Sequence, residues 1–305
     1  MRVFVTGASG HIGSAVVPEL LEAGHRVVGL ARSDSSASAL TAAGVDVYRG
    51  DLDDLDGLAA AAAAADGVIH LAFKHDAMFA GDFEGAVAAD LRTVEALGDA
   101  LAGSGKPLVT TSGTMLLAGL DHTATEADVL DAGPRIDAEN EVVALAARGI
   151  RSSVVRLAPT VHSAQDRNGF VPTLISIARS TGVAAYIGDG ANRWPAVHTL
   201  DAAHLFRLAL ESAPAGSRLH GVDDQGVPFR QIAETIGGRL NLPVVSIPPA
   251  QAEAHFGFLS GHVTVDNPSS NTLTKTLLGW KPVRPGLIDD LVRGHYFGAP
   301  ATTSS

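Results

Sequence analysis

Short apolar runs alternate with longer, helix-like stretches through the first half of the chain. The predicted strands are Val3–Val5, Arg26–Leu30, Val45–Tyr48, Gly67–Leu71 and Pro107–Thr111. Strands that are buried on both faces read as continuous apolar runs, and parallel strands need helical crossovers between them. The pattern therefore predicts an α/β fold with a doubly wound parallel sheet.

The intervals between these strands are predicted to be helical. The predicted helices are Ile12–Ala23, Ala37–Ala43, Leu58–Ala65, Glu84–Ala102 and Arg135–Arg148, and a sixth strand, Arg151–Leu157, follows them. After Pro159 the alternation stops and Gly and Pro become frequent. We expect residues 1–160 to form the sheet domain, with about 197–220 returning to it. Residues 161–300 should form a smaller, irregular lobe, and residues 299–305 a loose tail.

A glycine-rich segment, TGASGHIG, joins the first strand to the first helix, with Gly7, Gly10 and Gly13 at regular spacing. Such glycines allow a tight turn, close approach of the backbone to a pyrophosphate, and close packing of helix on strand. The helix N-terminus adds free N–H groups and partial positive charge. The segment therefore predicts a dinucleotide-binding Rossmann fold, in which Ser9, His11 and Ile12 also line the phosphate site. His11 lies either over a phosphate or on the surface.

The spacing Gly-x-x-Gly-x-x-Gly resembles the signature of extended or atypical short-chain dehydrogenases/reductases, the group that contains NAD(P)-dependent epimerases and dehydratases. Similar segments occur along nearly the whole chain: Gly50-Asp51-Leu52, His70-Leu71-Ala72, Thr111-Ser112-Gly113, Arg156–Val161, Val197-His198 with Asp201, and Leu278-Gly279-Trp280. The resemblance implies that Asp51 and Leu52 border the adenine and that a homodimer forms. It also implies that the rest of the cofactor contacts Leu71, Ala72, Phe73, Lys74, Thr111, Ala158, Pro159 and Thr160.

Arg32 and Ser33 follow the second strand, where NAD and NADP are distinguished. A guanidinium can bind the extra phosphate of NADP in bidentate fashion, and the Ser33 hydroxyl can assist. In the alternative, Arg32 is solvated and Asp34 binds the ribose of NAD. We predict NADP(H) in preference to NAD(H).

The family's carbonyl chemistry uses a Ser or Thr after the fifth strand and a Tyr-x-x-x-Lys pair on the next helix. Ser112 matches the first position, and aligning the helix on Ala138-Glu139 puts Arg135 at the lysine position and Asp131 at the tyrosine position. Gly133-Pro134 suggests that the helix begins at Pro134, so that Asp131 lies in a loop or caps the helix. Arg135 either grips the cofactor's ribose or phosphate, or pairs with Glu139 on the helix surface.

The motif does not identify the proton donor. Tyr186, in the lobe, is either an acid that reaches the cleft or a packing residue. His75, His122 and His162 leave the carboxyl ends of strands, where ligands bind. The segment 192–195 suits a substrate pocket or a subunit contact. Four aromatic residues are expected in the core: Phe170, Phe256, Phe258 and Trp280.

Composition narrows the classes of function. With 22 Lys and Arg against 33 Asp and Glu, a formal charge of −11 argues against nucleic-acid and anionic-membrane partners. Without cysteine there are no disulfides, thiolate nucleophiles or Cys-based metal sites, and no HExxH motif suggests a metal. The chain enters a strand at Arg2 without a signal-like segment, and no uncharged apolar stretch approaches ~20 residues. We expect a cytoplasmic protein.

Three functions follow, in this order. The first is an NADP-dependent oxidoreductase that reduces a carbonyl or related C=X group of a small molecule at an atypical active site. The second is a non-catalytic NAD(P)-binding sensor, resembling nitrogen-metabolite-repressor-type proteins and favoured by the missing tyrosine. The third is a nucleotide-sugar epimerase or dehydratase, whose reaction depends most on a phenolate-type base.

Overall fold

The structure is a computed structural model that describes residues 1–298. Strands and helices alternate along this part of the chain. The strands are β1 (Arg2–Thr6), β2 (Arg26–Ala31), β3 (Asp46–Arg49), β4 (Gly67–His70), β5 (Pro107–Gly113), β6 (Arg151–Leu157), β7 (Thr160–His162), β8 (Ala184–Ile187), β9 (Arg193–His198), β10 (Ser217–Gly221), β11 (Asp224–Pro228) and β12 (Val244–Ile247). The helices are α1 (Gly13–Glu22), α2 (Asp34–Ala42), α3 (Leu55–Ala63), α4 (His75–Phe79), α5 (Phe83–Leu101), α6 (Ile136–Ala144), α7 (Phe170–Thr181), α8 (Thr199–Ser212), α9 (Phe229–Leu240), α10 (Ala252–Phe256), α11 (Thr272–Leu278) and α12 (Leu287–Arg293).

The large sheet has the strand order β10-β6-β5-β4-β1-β2-β3, and every neighbouring pair is parallel. The chain builds outward from β1 to β3 and then continues from β4 on the other side of β1. The strand order therefore reverses between β1 and β4. In doubly wound sheets, ligands bind in the crevice at the carboxyl ends of the strands beside such a reversal. The predicted doubly wound parallel sheet is confirmed.

Helices cover both faces of this sheet because successive side chains of a strand point to opposite faces. Val3 and Val5 of β1 pack in one core with Val16 of α1 and with α8. Phe4 points the other way, into a core with Leu97 of α5 and with α3 and α6. The two cores hold the carboxyl ends of the strands in fixed positions beneath the crevice.

A separate core lies in the chain after β6. Helices α7, α9 and α12 pack around β8 and β9, with Trp194 and Phe229 in edge-to-face contact at 4.9 Å. After β9 the chain returns to the large sheet, where α8 packs against its strands and β10 pairs with β6. We propose that residues 1–160 and this return, near 197–220, form the dinucleotide-binding domain, and that the remainder from residue 161 forms the smaller lobe.

The observed elements differ from the predicted ones in two places. Helix α4 is absent from the prediction, which leaves Lys74 and His75 in a loop. Helix α6 ends at Ala144, and a 3₁₀ turn, Leu145–Arg148, completes the predicted helical stretch. The predicted tail, 299–305, lies outside the described residues. No helix within residues 1–298 is both long and apolar enough to cross a membrane.

Candidate active site

The glycine-rich loop lies against the end of β4 and leaves no room for side chains. Gly7 has φ +68°, and a Cβ there would lie 2.8 Å from the Ala72 nitrogen. A Cβ on Gly13 would lie 2.1 Å from the Gly7 carbonyl oxygen. Helix α1 begins at Gly13, so its first N–H groups point into the crevice between β1 and β4. This close-packed cradle before a helix N-terminus fits a dinucleotide pyrophosphate.

Thr6 ties this loop to the next strand. Its hydroxyl accepts hydrogen bonds from the backbone nitrogens of Leu71 and Ala72, both at 3.2 Å, and lies 2.7 Å from Nδ1 of His70. The other ring nitrogen of His70 lies 3.3 Å from Oδ1 of Asp90, a buried carboxylate on α5. If the Thr6 hydroxyl donates to Nδ1, the Nε2–H of His70 donates to Asp90, and each of these buried polar groups is partnered.

Arg135 closes this network from the other side. Its Nη2 donates to the Thr111 carbonyl at 2.9 Å, its Nε lies 3.6 Å from Oδ2 of Asp90, and its guanidinium carbon lies 4.5 Å from the centre of the Phe73 ring. The backbone is left-handed, with φ 65°, a conformation that costs a residue other than glycine about 1–3 kcal/mol. Arg135 thus joins the ends of β4 and β5, the strands beside the crevice.

Glu139 does not pair with Arg135, so the surface-pair alternative is wrong. Its carboxylate accepts hydrogen bonds from the buried Arg156 of β6 and from Arg218 of β10. Burial acts to raise the pKa of Glu139, but the hydrogen bonds and charge of Arg156 lower it overall, with a smaller contribution from Ser112. Glu139 therefore anchors α6 to the sheet as an ionised carboxylate.

The Ser112 hydroxyl faces the interior, beside this carboxylate. Its Oγ is buried and, within residues 1–298, lacks a partner at hydrogen-bond geometry, as does Nε of Arg135. Ser112, Arg135, Asp90 and Glu139 line a small cavity with room for about one water molecule. Ser112 is thus close to Arg135 but does not contact the cleft, so this placement does not support its predicted direct polarisation of a substrate.

The predicted nucleotide-selecting residues lie on the surface. The Arg32 side chain is 70% exposed and pairs with Asp76 of α4 at 2.8 Å. Ser33 caps α2 by accepting a hydrogen bond from the Ser36 nitrogen, and Asp34 pairs with Arg49 at 2.7 Å. Both NADP through Arg32 and NAD through Asp34 stay compatible with this arrangement.

The other predicted cofactor residues lie around the same crevice. Leu71, Ala72 and Phe73 follow β4, where Lys74 pairs with Asp53 at 2.5 Å. Asp51 and Leu52 follow β3; Ala158, Pro159 and Thr160 join β6 to β7, and Ser9 and Ile12 lie in the glycine-rich loop. His11 is partly buried and its Nε2 lies 3.0 Å from the hydroxyl of Thr199, the first residue of α8. Burial, and to a smaller extent the charge of His162, lowers the pKa of His11.

The candidate acids are not brought together. Asp131 is exposed in the loop before α6, as the Gly133-Pro134 signal predicts. Tyr186 lies on β8, where Arg230 packs 5.5 Å from its ring centre; its recorded contacts within residues 1–298 do not include Ser112 or Arg135. His162 is buried and pairs with Asp290 at 2.8 Å.

Two histidines remain beside the cleft's strands. His122 lies between Asp121 and Asp128, whose hydrogen bonds raise its pKa. His75 begins α4, and its ring centre lies 5.2 Å from that of Phe73. Burial, followed by the charge of Arg135, lowers the pKa of His75, which places this ring within the field of Arg135. Of the three histidines, His75 is therefore the one in contact with the Arg135 surroundings.

Two expectations for the lobe are wrong. The segment 192–195 is structural: Trp194 is fully buried, Asn192 donates to two backbone carbonyls, and Arg193 forms a bidentate pair with Asp266. Phe258, expected in the core, is 62% exposed. Both errors arise because partners distant in sequence decide which side chains are covered.

Asp90 and Phe79 were missed by sequence reasoning. Asp90 lies on the inner face of α5, where the helical period identifies a buried position, and a carboxylate at a buried position is itself a signal of a partnered or functional group. Phe79 belongs to α4, whose five residues are too few for a periodic pattern.

Known proteins resemble this chain along its length. An uncharacterised protein of Schizosaccharomyces pombe is 49% identical and covers 97% of this chain and 100% of its own. A Stigmatella aurantiaca 4-hydroxy-2-methyl-3-oxo-4-farnesyl-3,4-dihydroquinoline-1-oxide ketoreductase is 28% identical, covering 84% and 80%. The structure of DesIV, a dTDP-glucose 4,6-dehydratase from Streptomyces venezuelae, superposes with a TM-score of 0.77 at 20% identity, over 97% and 96% of the two chains. The family model for the NAD dependent epimerase/dehydratase family matches residues 3–220. With this match over most of its length, and with the cradle and strand order described above, the chain belongs to the NAD dependent epimerase/dehydratase family.

Proposed function

We propose that the protein is an NADP-dependent reductase of a carbonyl or related C=X group in a small molecule. The observation that carries this proposal is the position of Arg135, beside the ends of β4 and β5 and within reach of the nicotinamide side of the crevice. A guanidinium stays protonated at neutral pH. It therefore stabilises negative charge that develops on a carbonyl oxygen as the carbonyl carbon is reduced.

The chain's own residues would divide the work as follows. The glycine cradle binds the pyrophosphate, and Arg32 binds the additional phosphate of NADP by giving up its exposed pair with Asp76, which is worth only about 0–1 kcal/mol. Bound NADPH supplies the hydride. Arg135 polarises the carbonyl oxygen, and His75, neutral at pH 7, relays a proton from solvent to that oxygen.

Two observations favour reduction over epimerisation or dehydration. The tyrosine position is taken by Asp131, exposed in a loop, so the phenolate-type base for a sugar hydroxyl is missing there. Among relatives in sequence, the Stigmatella protein is named as a ketoreductase, whereas DesIV, at 20% identity, is a likeness of fold. The enclosed Ser112 hydroxyl favours a second candidate, an NAD(P)-binding sensor without turnover.

The test follows NADPH oxidation across a panel of small ketones, aldehydes and imines, with NADPH affinity measured separately. Replacing Arg135 by Met should lower kcat/KM by about 100-fold or more, the usual loss on removing an oxyanion-stabilising group. Arg135→Lys, which keeps a cation, should retain more activity. Arg148→Met is the matched control, because Arg148 forms an exposed ion pair with Asp99.

Full activity in Arg135→Met would refute the role of Arg135. Tight NADPH binding without oxidation of any panel member would favour the sensor. The predicted homodimer stays a prediction, which sedimentation of the same preparation measures.

A further inference from the structure

A row of aromatic rings leads from Arg135 to the surface. The Phe73 ring lies under the Arg135 guanidinium, His75 lies 5.2 Å from Phe73, and Phe79 stacks on His75 at 6.4 Å with an angle of 29°. Phe258, from the smaller lobe, meets Phe79 edge-on at 6.2 Å. We call Phe73, His75, Phe79 and Phe258 the aromatic row. It joins the end of β4 to the lobe across the cleft.

The outer two rings of the row are exposed although they touch. Phe79 is 68% exposed and Phe258 is 62% exposed. Isolated exposed apolar residues are common, but two large rings from distant parts of a chain that meet at the mouth of a cleft form an apolar surface, which is typical of a ligand site. An apolar group placed against both rings would remove more of this surface from water than their mutual contact does.

The backbone holds both rings in the cleft mouth. Helix α4 starts two residues after Phe73 and, within the described chain, has no buried residue of its own. In the lobe, Gly257 takes φ 55° and ψ −127°, and Leu259 is completely buried, so Phe258 is held outward between a glycine turn and an anchored neighbour. Neither ring is a core residue that has slipped out of place.

Charge near the row does not favour a strongly anionic ligand. The two cations that flank α4 are already paired, Lys74 with Asp53 and Arg32 with Asp76. Phe79 and Phe258 add no polar group. The surface therefore suits the apolar part of a ligand whose polar, reacting end lies toward Arg135.

We propose that the substrate carries a large apolar group, alkyl or aryl, which packs against Phe79 and Phe258 while its reducible C=X group lies at Arg135. This inference rests on the proposed reductase function for the reacting end. It assigns specificity to two residues of the aromatic row outside the cofactor site, and both rings contact the substrate.

The kinetic test compares 2-alkanones from 2-butanone to 2-decanone with NADPH as reductant. Each methylene that is buried should raise kcat/KM by about two- to fourfold. Phe79→Ala and Phe258→Ala should flatten this dependence while leaving NADPH affinity unchanged. Leu277→Ala is the control, because Leu277 is a 48% exposed apolar residue on α11. Its dependence on chain length should equal that of the wild type.

A binding test separates this inference from the reductase proposal. Primary alkanamides from propanamide to octanamide carry a carbonyl that NADPH does not reduce, and calorimetry measures their affinity for the NADPH-bound protein. If alkanones are not reduced but amide affinity rises with chain length and depends on both rings, the apolar site stands and the reductase function fails. If alkanones are reduced but neither assay depends on chain length, or both dependences survive in Phe79→Ala and Phe258→Ala, the apolar site is refuted and the reductase function stands.

Discussion

The buried carboxyl group of Asp166 predicts an unusual dependence of stability on pH. Asp166 is 5% exposed; its Oδ1 accepts a hydrogen bond from the Gly169 nitrogen at 2.9 Å, and its Oδ2 accepts one from the Tyr296 hydroxyl at 3.2 Å. Burial raises the pKa of Asp166 to about 6, against the opposing hydrogen bonds and the charge of His162. Between pH 3.8 and 6 the unfolded chain loses this proton while the folded protein keeps it. Folding is therefore progressively disfavoured as pH rises through that window.

The magnitude follows from the distance between the two pKa values. One pH unit corresponds to 1.36 kcal/mol, so the ionisation of Asp166 lowers the free energy of unfolding by about 3 kcal/mol at neutral pH. Asp166→Asn keeps an oxygen for the Gly169 nitrogen but has no proton to lose. Thus the variant should match the wild type near pH 4 and exceed it by about 3 kcal/mol above pH 6.5. This gain corresponds to a rise in Tm on the order of 5–10 °C.

His198 acts in the opposite sense over nearly the same window. Burial and the charge of His162, opposed by Asp290, lower the pKa of His198 to about 4. Below pH 6.5 the unfolded chain takes up this proton first, so stability is lost as pH falls from 6.5 to 4. The ring is only half-buried, and solvent screening reduces this effect to about 1–2 kcal/mol. In Asp166→Asn the His198 effect should appear alone, as stability that increases from pH 4 to 6.5.

The assay is thermal unfolding of the wild type and the Asn variant at half-unit intervals from pH 4 to 7.5. Asp82→Asn is the matched control: Asp82 also accepts from the nitrogen of a glycine three residues later, at 2.9 Å, but it is exposed. Parallel curves for wild type and Asp166→Asn over the whole range would refute the reasoning, because they would mean that Asp166 titrates alike in the folded and unfolded chain.

Two further predictions concern the cofactor. Gly13→Ala would place a methyl group 2.1 Å from the Gly7 carbonyl oxygen, where only backbone movement relieves the overlap; NADPH affinity measured by fluorescence should fall about tenfold or more, whereas Gly238→Ala, which meets nothing within 4 Å, should bind normally. Unchanged affinity in Gly13→Ala would contradict the cradle geometry. Arg32→Ala should weaken NADPH binding by about 1.5–3 kcal/mol and leave NADH binding unchanged, with Arg26→Ala, at the opposite end of β2, as control. Equal effects on NADPH and NADH would count against NADP selection through Arg32.

The elements that sequence reasoning predicted are those that local physics determines. The strands are recognised from apolar runs such as Val3–Val5, and the cradle from glycines whose side chains would collide with backbone. The side of a strand on which Ser112 points depends on how α6 is held by Arg156 and Arg218, residues of two other strands. Phe79 and Phe258 meet across 179 positions of sequence, and no local period encodes that contact.

The left-handed backbone of Arg135 sets stability and function against each other at one position. Glycine would adopt φ 65° without strain, so Arg135→Gly removes the conformational penalty together with the guanidinium. A variant library screened for thermal stability alone would favour that replacement and lose the cation beside the nicotinamide crevice. Engineering of this protein for heat resistance therefore has to select for turnover in the same round, and among close homologues the residue at this position separates chains that have kept the cation from those that have relaxed the turn.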